Sequence, residues 1–138
     1  MATTFTTTRL VEFSDTDLAG IVHFSRFFVY MEAAEHAFLR SLGTHVVDNI
    51  DGQRIGWPRV AATCDYRAPA YFEDVLDIIV EITRKGQKSL TYSHTFRRGE
   101  DLIAEGSLTV VCCVVEHGKP MRTVEIPKTI VEKIEDTA

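Results

Sequence analysis

The stretch Phe24-Ser25-Arg26-Phe27-Phe28-Val29-Tyr30-Met31-Glu32-Ala33-Ala34-Glu35-His36-Ala37-Phe38-Leu39-Arg40-Ser41-Leu42-Gly43 decides the fold. Phe24, Phe28, Met31, Phe38 and Leu42 recur at spacings of four, three, seven and four, which predicts a helix with one apolar stripe. Phe27, Val29, Tyr30, Ala33, Ala34 and Ala37 make its flanks apolar as well, leaving Arg26, His36 and Arg40 as a narrow polar strip. Such a helix has to be largely enclosed. Gly43 supplies its C-terminal stop, and Ser25 stands where an N-cap belongs. Unpaired backbone N–H groups and the positive end of the helix dipole then lie next to whatever precedes Ser25.

What precedes it is a loop with two carboxylates, Phe13-Ser14-Asp15-Thr16-Asp17-Leu18-Ala19-Gly20. A calcium loop of the EF-hand kind begins in a similar way, but Ala19 occupies its third ligand position and Arg26 its closing glutamate position, so the oxygen set is incomplete. Aspartates also punctuate turns by accepting backbone N–H bonds, and that reading suits Asp15. Asp17 is evenly divided between turn formation and catalysis. Gly20 lets the chain turn closely back, which brings Asp17 towards the helix start and leaves room for a substrate.

Outward from this centre, residues 5 to 13 are rich in β-branched and aromatic types and predict a first strand. Beyond Gly43 a short helical piece is expected around His45 to Ile50. Strands follow at about 58 to 67, 75 to 85, 88 to 98 and 102 to 116, with Pro69, Gly86 and Gly99 marking turns. The links at Gly86 and at Gly99-Glu100-Asp101 are short enough for antiparallel hairpins. Pro127 suits the first turn of a closing helix, Lys128 to Glu135. The order β-α-β-β-β-β predicts an α+β architecture, a curved antiparallel sheet wrapped around a long central helix, as one domain over residues 1–138. Alternation alone does not say whether water, the terminal helix or another subunit covers the second face of that sheet.

Composition narrows the functional classes. The chain has 138 residues, 45% of them hydrophobic, enough for a core without disulfides or a structural metal. Fifteen Lys and Arg against twenty Asp and Glu give a net charge of −5, which argues against a general nucleic-acid surface. Cys64, Cys112 and Cys113 form neither an even framework nor a C-x-x-C pair and read as small buried residues in a reducing compartment. Residues 1 to 8 carry no leader pattern, and the longest apolar run, Val110 to Val115, is too short to span a bilayer; a cytoplasmic protein with no membrane contact is expected. His36, His45, His94 and His117 have no metal-ligand spacing and no G-x-S-x-G is present, so neither a metal site nor a serine nucleophile is expected.

Four short motifs occur in order along nearly the whole chain. They are F-S-D-T-D-L-A-G-I-V-H-F over residues 13–24, Tyr30-Met31-Glu32, Asp65-Tyr66-Arg67-Ala68-Pro69-Ala70 with Asp74, and Val124-Glu125-Ile126-Pro127. Together they resemble the hotdog-fold thioesterases of the 4-hydroxybenzoyl-CoA and Tol-Pal-associated type. The resemblance implies a hotdog fold and hydrolysis of an acyl-CoA to the free acid and CoA, with no cofactor. It implies that Asp17 attacks the thioester carbonyl or activates water, and that the backbone N–H of Phe24 polarises that carbonyl. A donor there suits a tetrahedral intermediate, whose negative charge would develop beside the positive helix end.

The same resemblance implies an acyl pocket lined by the segment carrying Trp57 and Arg59, often across a subunit interface. It also implies that CoA phosphates are met at the turn Arg84-Lys85-Gly86-Gln87-Lys88-Ser89, with Lys88 foremost. Gly20 and His23 beside the helix start complete the expected substrate contacts. The expected assembly is a homodimer or homotetramer with sites between subunits and acyl-CoA as the bound partner. Glu35, between Met31 and Phe38 on the stripe, is the alternative catalytic carboxylate; a plainly paired helix glutamate is the simpler reading. Two other functions stay open. Enoyl-thioester hydration usually sets a histidine five residues after the aspartate, whereas His23 follows Asp17 by six. A non-catalytic acyl-CoA-binding module would be a sensor, and such regulators carry an additional DNA-binding segment for which this chain has no length.

Overall fold

Period-two alternation along three neighbouring strands makes the surface on which the rest of the protein packs. In a computed structural model that describes residues 4–136, Leu76, Ile78, Val80 and Ile82 point inward from β5 (Val75–Lys85), and Leu90, Tyr92, His94 and Phe96 from β6 (Ser89–Arg98). Ala104, Gly106, Leu108 and Val110 do so from β7 (Asp101–Val111). The opposite face of these strands carries half-buried Thr91, Ser93, Thr95, Ser107 and Thr109. Hairpins at Gly86 and Gly99 join the three strands antiparallel, as their short links require. With β1 (Thr4–Leu10) and β4 (Arg59–Tyr66) they complete a five-stranded sheet in the order β1-β5-β6-β7-β4.

The central helix α1 (Arg26–Ser41) lies on the inward face of that sheet, burying Phe27, Tyr30, Met31, Ala34, Glu35, Phe38 and Leu39. Its axis is the expected one but its phase is not. Phe24 precedes the helix and is 62% exposed, and Phe28 is only half buried, so the enclosed stripe is centred one position away from the one read in the sequence. A helix apolar almost all round carries too little contrast for periodicity to fix its rotation; packing against the sheet does so. Its end matches expectation. Gly43 adopts φ +81°, the Gly43 N–H donates to Arg40 O and the Thr44 N–H to Leu39 O, a Schellman closure.

Three elements differ from the sequence reading. The helical piece expected over His45 to Ile50 is instead a hairpin of β2 (Val47–Ile50) and β3 (Gln53–Gly56), turned at Asp51 and Gly52 with φ of +53° and +76°. Asp-Gly with both residues left-handed is a favoured two-residue hairpin turn, and this local chemistry outweighs helical propensity in so short a segment. The strand expected over 102 to 116 breaks at Cys112, and β8 (Cys113–Val114) leaves the main sheet to pair with β3 and β9 (Arg122–Thr123). The break buries both Cys112 and Cys113, which one continuous strand would have aimed at opposite faces. The first strand ends at Leu10, not at residue 13, because Phe13–Asp15 form a 3₁₀ turn. The closing helix α2 (Lys128–Asp136) buries Ile130 and Ile134 in the same core.

Gly106 of β7 faces Met31 of the central helix with no room for a side chain. A Cβ there would stand 2.3 Å from Met31 Sδ and 3.2 Å from Thr63 O, and Met31 is itself fully enclosed. Gly106→Ala should therefore destabilise the fold by about 1–3 kcal/mol through overpacking, read as a lowered denaturation midpoint with an unchanged slope. Among the described residues no helix is long and apolar enough to cross a membrane. The leader-pattern expectation falls partly on residues 1–3, which lie outside the described residues.

Candidate active site

The loop between β1 and α1 is built around Asp15, which is buried at 5% exposure. Its Oδ2 accepts the Tyr30 hydroxyl at 2.8 Å and the Glu12 N–H at 3.0 Å, and Oδ1 lies 3.7 Å from Arg26 Nε. Its carbonyl accepts the His23 N–H at 2.8 Å. Asp15 thus fastens both ends of the loop to the helix. Burial, followed by the hydrogen bond to Asp15, pushes the Tyr30 hydroxyl well above its ordinary range, so it remains a donor. Buried, with two hydrogen bonds on Oδ2 and the Arg26 guanidinium beside Oδ1, Asp15 is a structural residue.

Asp17 has a different environment. Its N–H donates to Ile21 O, its carbonyl accepts the Gly20 N–H, and Gly20 turns the chain with φ +81°. Only Oδ1 is engaged, accepting the Ala19 N–H at 2.9 Å. Among the described residues Oδ2 has no hydrogen-bond or ion-pair partner. A Cβ on Gly20 would meet nothing within 4 Å, so glycine is required there for its backbone angle; the protein itself sets no steric demand. Bridges from Thr16 to Val22 and from Ile21 to Tyr71, with the Val22 N–H donating to Ala70 O, hold this turn against the segment after β4.

The start of α1 lies one bridge further on. Ser25 occupies the N-cap position, but its side chain caps no backbone N–H, contrary to the sequence reading. Its Oγ lies 2.7 Å from His23 Nδ1, and its own N–H donates to that nitrogen at 3.2 Å. Ser25 has helical backbone angles, φ −69° and ψ −23°, which turn its hydroxyl away from the first-turn N–H groups. The His23 carbonyl accepts the Arg26 N–H at 2.9 Å, and the Phe24 carbonyl accepts the Tyr66 hydroxyl at 2.8 Å. No acceptor among the described residues meets the Phe24 N–H. The His23 ring stacks on that of Phe24 at 4.6 Å.

Asp17 and Phe24 line one cleft of about 590 Å³ together with Ile21, Val22, Phe27, Tyr66 and the segment Arg67 to Ala70. Its walls are mainly apolar. Among the described residues Asp17 is its one carboxylate and Arg67 its one cation, the latter 3.2 Å from Glu105. Two residues lining one mainly apolar cleft, one with a free carboxylate oxygen and one with an unspent backbone donor, suit nucleophilic or general-base attack on a carbonyl attached to an apolar group. Tyr66, Phe27 and Ala68 to Ala70 were not assigned a role from sequence. The only signal was the motif Asp65 to Ala70, whose residues carry no distinctive chemistry until the fold brings them beside the helix start.

The remaining expected contacts lie elsewhere. His23 adjoins the cleft but is spent on Ser25 and Phe24. Trp57 is buried at 4% exposure in the core. Arg59 pairs with Val110 at one end of β4, and Lys88 precedes Ser89, which pairs with Val111, whereas Tyr66 pairs with Ala104. Arg59 and Lys88 are thus roughly 20 Å along the strands from the cleft within one chain. Glu35 is fully enclosed and lines none of the cleft. One of its oxygens is tightly bonded to the Arg59 guanidinium, which also lies 3.4 Å from Glu32, and the other has no partner. Burial pushes the Glu35 carboxyl up to about 7 against the opposing pull of Arg59.

Compared with known proteins, residues 11–134 match the thioesterase-like superfamily. The acyl-CoA thioester hydrolase YbgC of Escherichia coli is 30% identical over 123 residues, covering 88% of each chain. The 4-hydroxybenzoyl-CoA thioesterase of a Pseudomonas species is 25% identical over 138 residues, covering 96% of this chain and 98% of the other. A solved 1,4-dihydroxy-2-naphthoyl-CoA thioesterase from Synechocystis superposes with a TM-score of 0.83 at 27% identity, covering 96% of each chain.

Proposed function

Because this chain belongs to the thioesterase-like superfamily of hotdog-fold thioester hydrolases, we propose that it cleaves acyl-CoA with Asp17 as the reacting carboxylate. The observation that carries this reading is the half-used Asp17 side chain, with Oδ2 unpartnered, on a residue that lines the same cleft as Phe24, whose N–H is likewise unspent. In the proposed reaction Asp17 either attacks the thioester carbonyl, giving an acyl-aspartyl anhydride that water then opens, or takes a proton from the attacking water. In both routes the carbonyl oxygen gains negative charge facing the Phe24 N–H and the C–S bond breaks to release the CoA thiolate, which takes its proton from water in the first route and from protonated Asp17 in the second. The mainly apolar wall of Ile21, Val22, Phe27 and Ala70 suits the acyl group. A panel of aliphatic and aromatic acyl-CoA thioesters, read by release of free thiol, tests the reading. Turnover of at least one member is expected, and change in enoyl absorbance without thiol release would instead indicate hydration chemistry.

We also propose a homo-oligomer with sites completed between subunits over residues 1–138. Among the described residues strand β4 is an edge, paired only with β7, and it exposes Val60, Ala61, Ala62 and Thr63. Antiparallel pairing of two β4 edges would set the Arg59 end of one copy beside the Tyr66 end of the other. The residues that lie far from the cleft within one chain, Trp57, Arg59 and Lys88, would then approach it from the second copy. Sedimentation at micromolar concentration should give at least twice the mass of one chain; a monomer that retains full turnover would remove this part of the proposal.

A further inference from the structure

The turn ahead of α1 has an economy of hydrogen bonds that bears on the reaction. The two peptide units around Phe24 carry two carbonyls and two N–H groups. The His23 carbonyl is taken by the Arg26 N–H, the Phe24 carbonyl by the Tyr66 hydroxyl, and the Ser25 N–H by the His23 ring. Three of the four groups are therefore held, and the Phe24 N–H alone is left. Two of these bonds come from within the turn; the third is brought from β4, 42 residues away in sequence. The Tyr66 ring is held in turn by edge contact with Phe27 at 5.4 Å, and both rings line the cleft.

We propose that Tyr66 is a positioning residue for the carbonyl-polarising donor: its hydroxyl ties the Phe24 carbonyl, in the peptide unit that follows the one carrying the Phe24 N–H, to β4, and so holds against the sheet the turn in which the bond from the Arg26 N–H to the His23 carbonyl aims that N–H. This rests on the reading of Asp17 and Phe24 given above. An N–H that stabilises a developing oxyanion has to be aimed before the charge appears, because reorientation during the reaction forfeits most of its value. The turn is tied at Val22 and His23 by backbone bonds to Ala70 and Asp15, and the bond from Tyr66 adds a tie at Phe24, the last residue before the N-cap. Tyr66 supplies that tie from the end of β4, where it pairs with Ala104 of β7. Partial burial, with the Cys64 thiol alongside, pushes the Tyr66 hydroxyl up to about 12, so it donates at every working pH. Tyr66 neither gives nor takes a proton in the reaction.

Tyr66→Phe removes the hydroxyl and keeps the ring against Phe27. The expected result is a fall in kcat of about tenfold to a hundredfold with KM within about twofold, the same at pH 6 and pH 9. A thioether analogue of the acyl-CoA, in which the carbonyl is replaced by methylene, should bind parent and variant equally, since it offers no oxygen to polarise. Asp17→Asn is measured alongside. If Asp17→Asn is inactive while Tyr66→Phe keeps its full kcat, this inference is overturned and the reading of the site stands. If Tyr66→Phe instead weakens analogue binding and raises KM at constant kcat, Tyr66 is only a wall of the cleft and the inference is again overturned. Full activity of Asp17→Asn removes the reading of the site, and the inference with it.

Discussion

Asp17→Asn is expected to lower kcat for acyl-CoA hydrolysis by about 10³-fold while KM changes by no more than about threefold. The substitution isolates the carboxylate unusually well. The one side-chain bond that Asp17 makes is from the Ala19 N–H to Oδ1, and an asparagine carbonyl oxygen accepts the same bond, so the Asp17-to-Gly20 turn and its φ of +81° at Gly20 should persist. What disappears is the charge and nucleophilicity of Oδ2, the atom without a partner. A loss of that size corresponds to about 4 kcal/mol of transition-state stabilisation, well beyond what a neutral hydrogen bond supplies. Thiol release under saturating substrate reads it directly. Retention of more than a tenth of parental kcat would exclude Asp17 as the reacting group and direct the search to Glu35, for which Glu35→Gln is the matching measurement.

The second large effect is expected in stability. Arg59→Met leaves the enclosed Glu35 carboxylate without its cation, and breaking a buried pair from one side costs roughly 3–5 kcal/mol. For a chain of this size that lowers the melting temperature by about 10 °C or more. The pH dependence has a definite sign. Glu35 is raised by burial from 4.5 to about 7, so the folded state favours its protonated form. The stability this contributes is fully present below about 4.5 and is lost as pH rises towards 7. Enclosed His94 acts the other way: burial lowers it to about 4, and its contribution is lost as pH falls from 6.5 towards that value. The difference between the parent and Glu35→Gln in denaturant melts at pH 5 and pH 8 separates the two. Glu35→Gln should gain relative to the parent at pH 8, and an equal difference at both pH values would show that Glu35 does not titrate in this window.

The alternation of β5, β6 and β7 and the glycine and charge punctuation at Gly86 and Gly99 were legible from sequence because each is a local signal with a fixed period. So was the central helix, down to its Gly43 closure. Its rotation was not, since aromatic residues on every side of Phe24 to Phe38 leave the phase to be set by the sheet. The Asp51-Gly52 hairpin is masked in the sequence although its turn chemistry is strong, because the strands it joins are only four residues each. At the site, the turn-forming part of Asp15 was readable, because an aspartate between a strand and a helix is a common backbone acceptor, and the structure engages its carboxylate with the Glu12 N–H and the Tyr30 hydroxyl. Tyr66 was not: a tyrosine on a strand has no chemical signature until a distant carbonyl is brought within 2.8 Å of its hydroxyl. Arg59 and Lys88 were grouped with the cleft by resemblance, and one chain alone keeps them at the far end of the strands.

The outer edge of β4 also governs how the chain behaves when it is dilute or newly made. Its eight residues include no lysine and no proline, the usual guards of an open ladder, and its middle consists of Val60, Ala61, Ala62 and Thr63 facing water. Unoccupied N–H and C=O groups beside small apolar side chains will accept any extended polypeptide that arrives first. Synthesis rate, temperature during expression and protein concentration during refolding should thus decide soluble yield more strongly than the stability of the folded chain does.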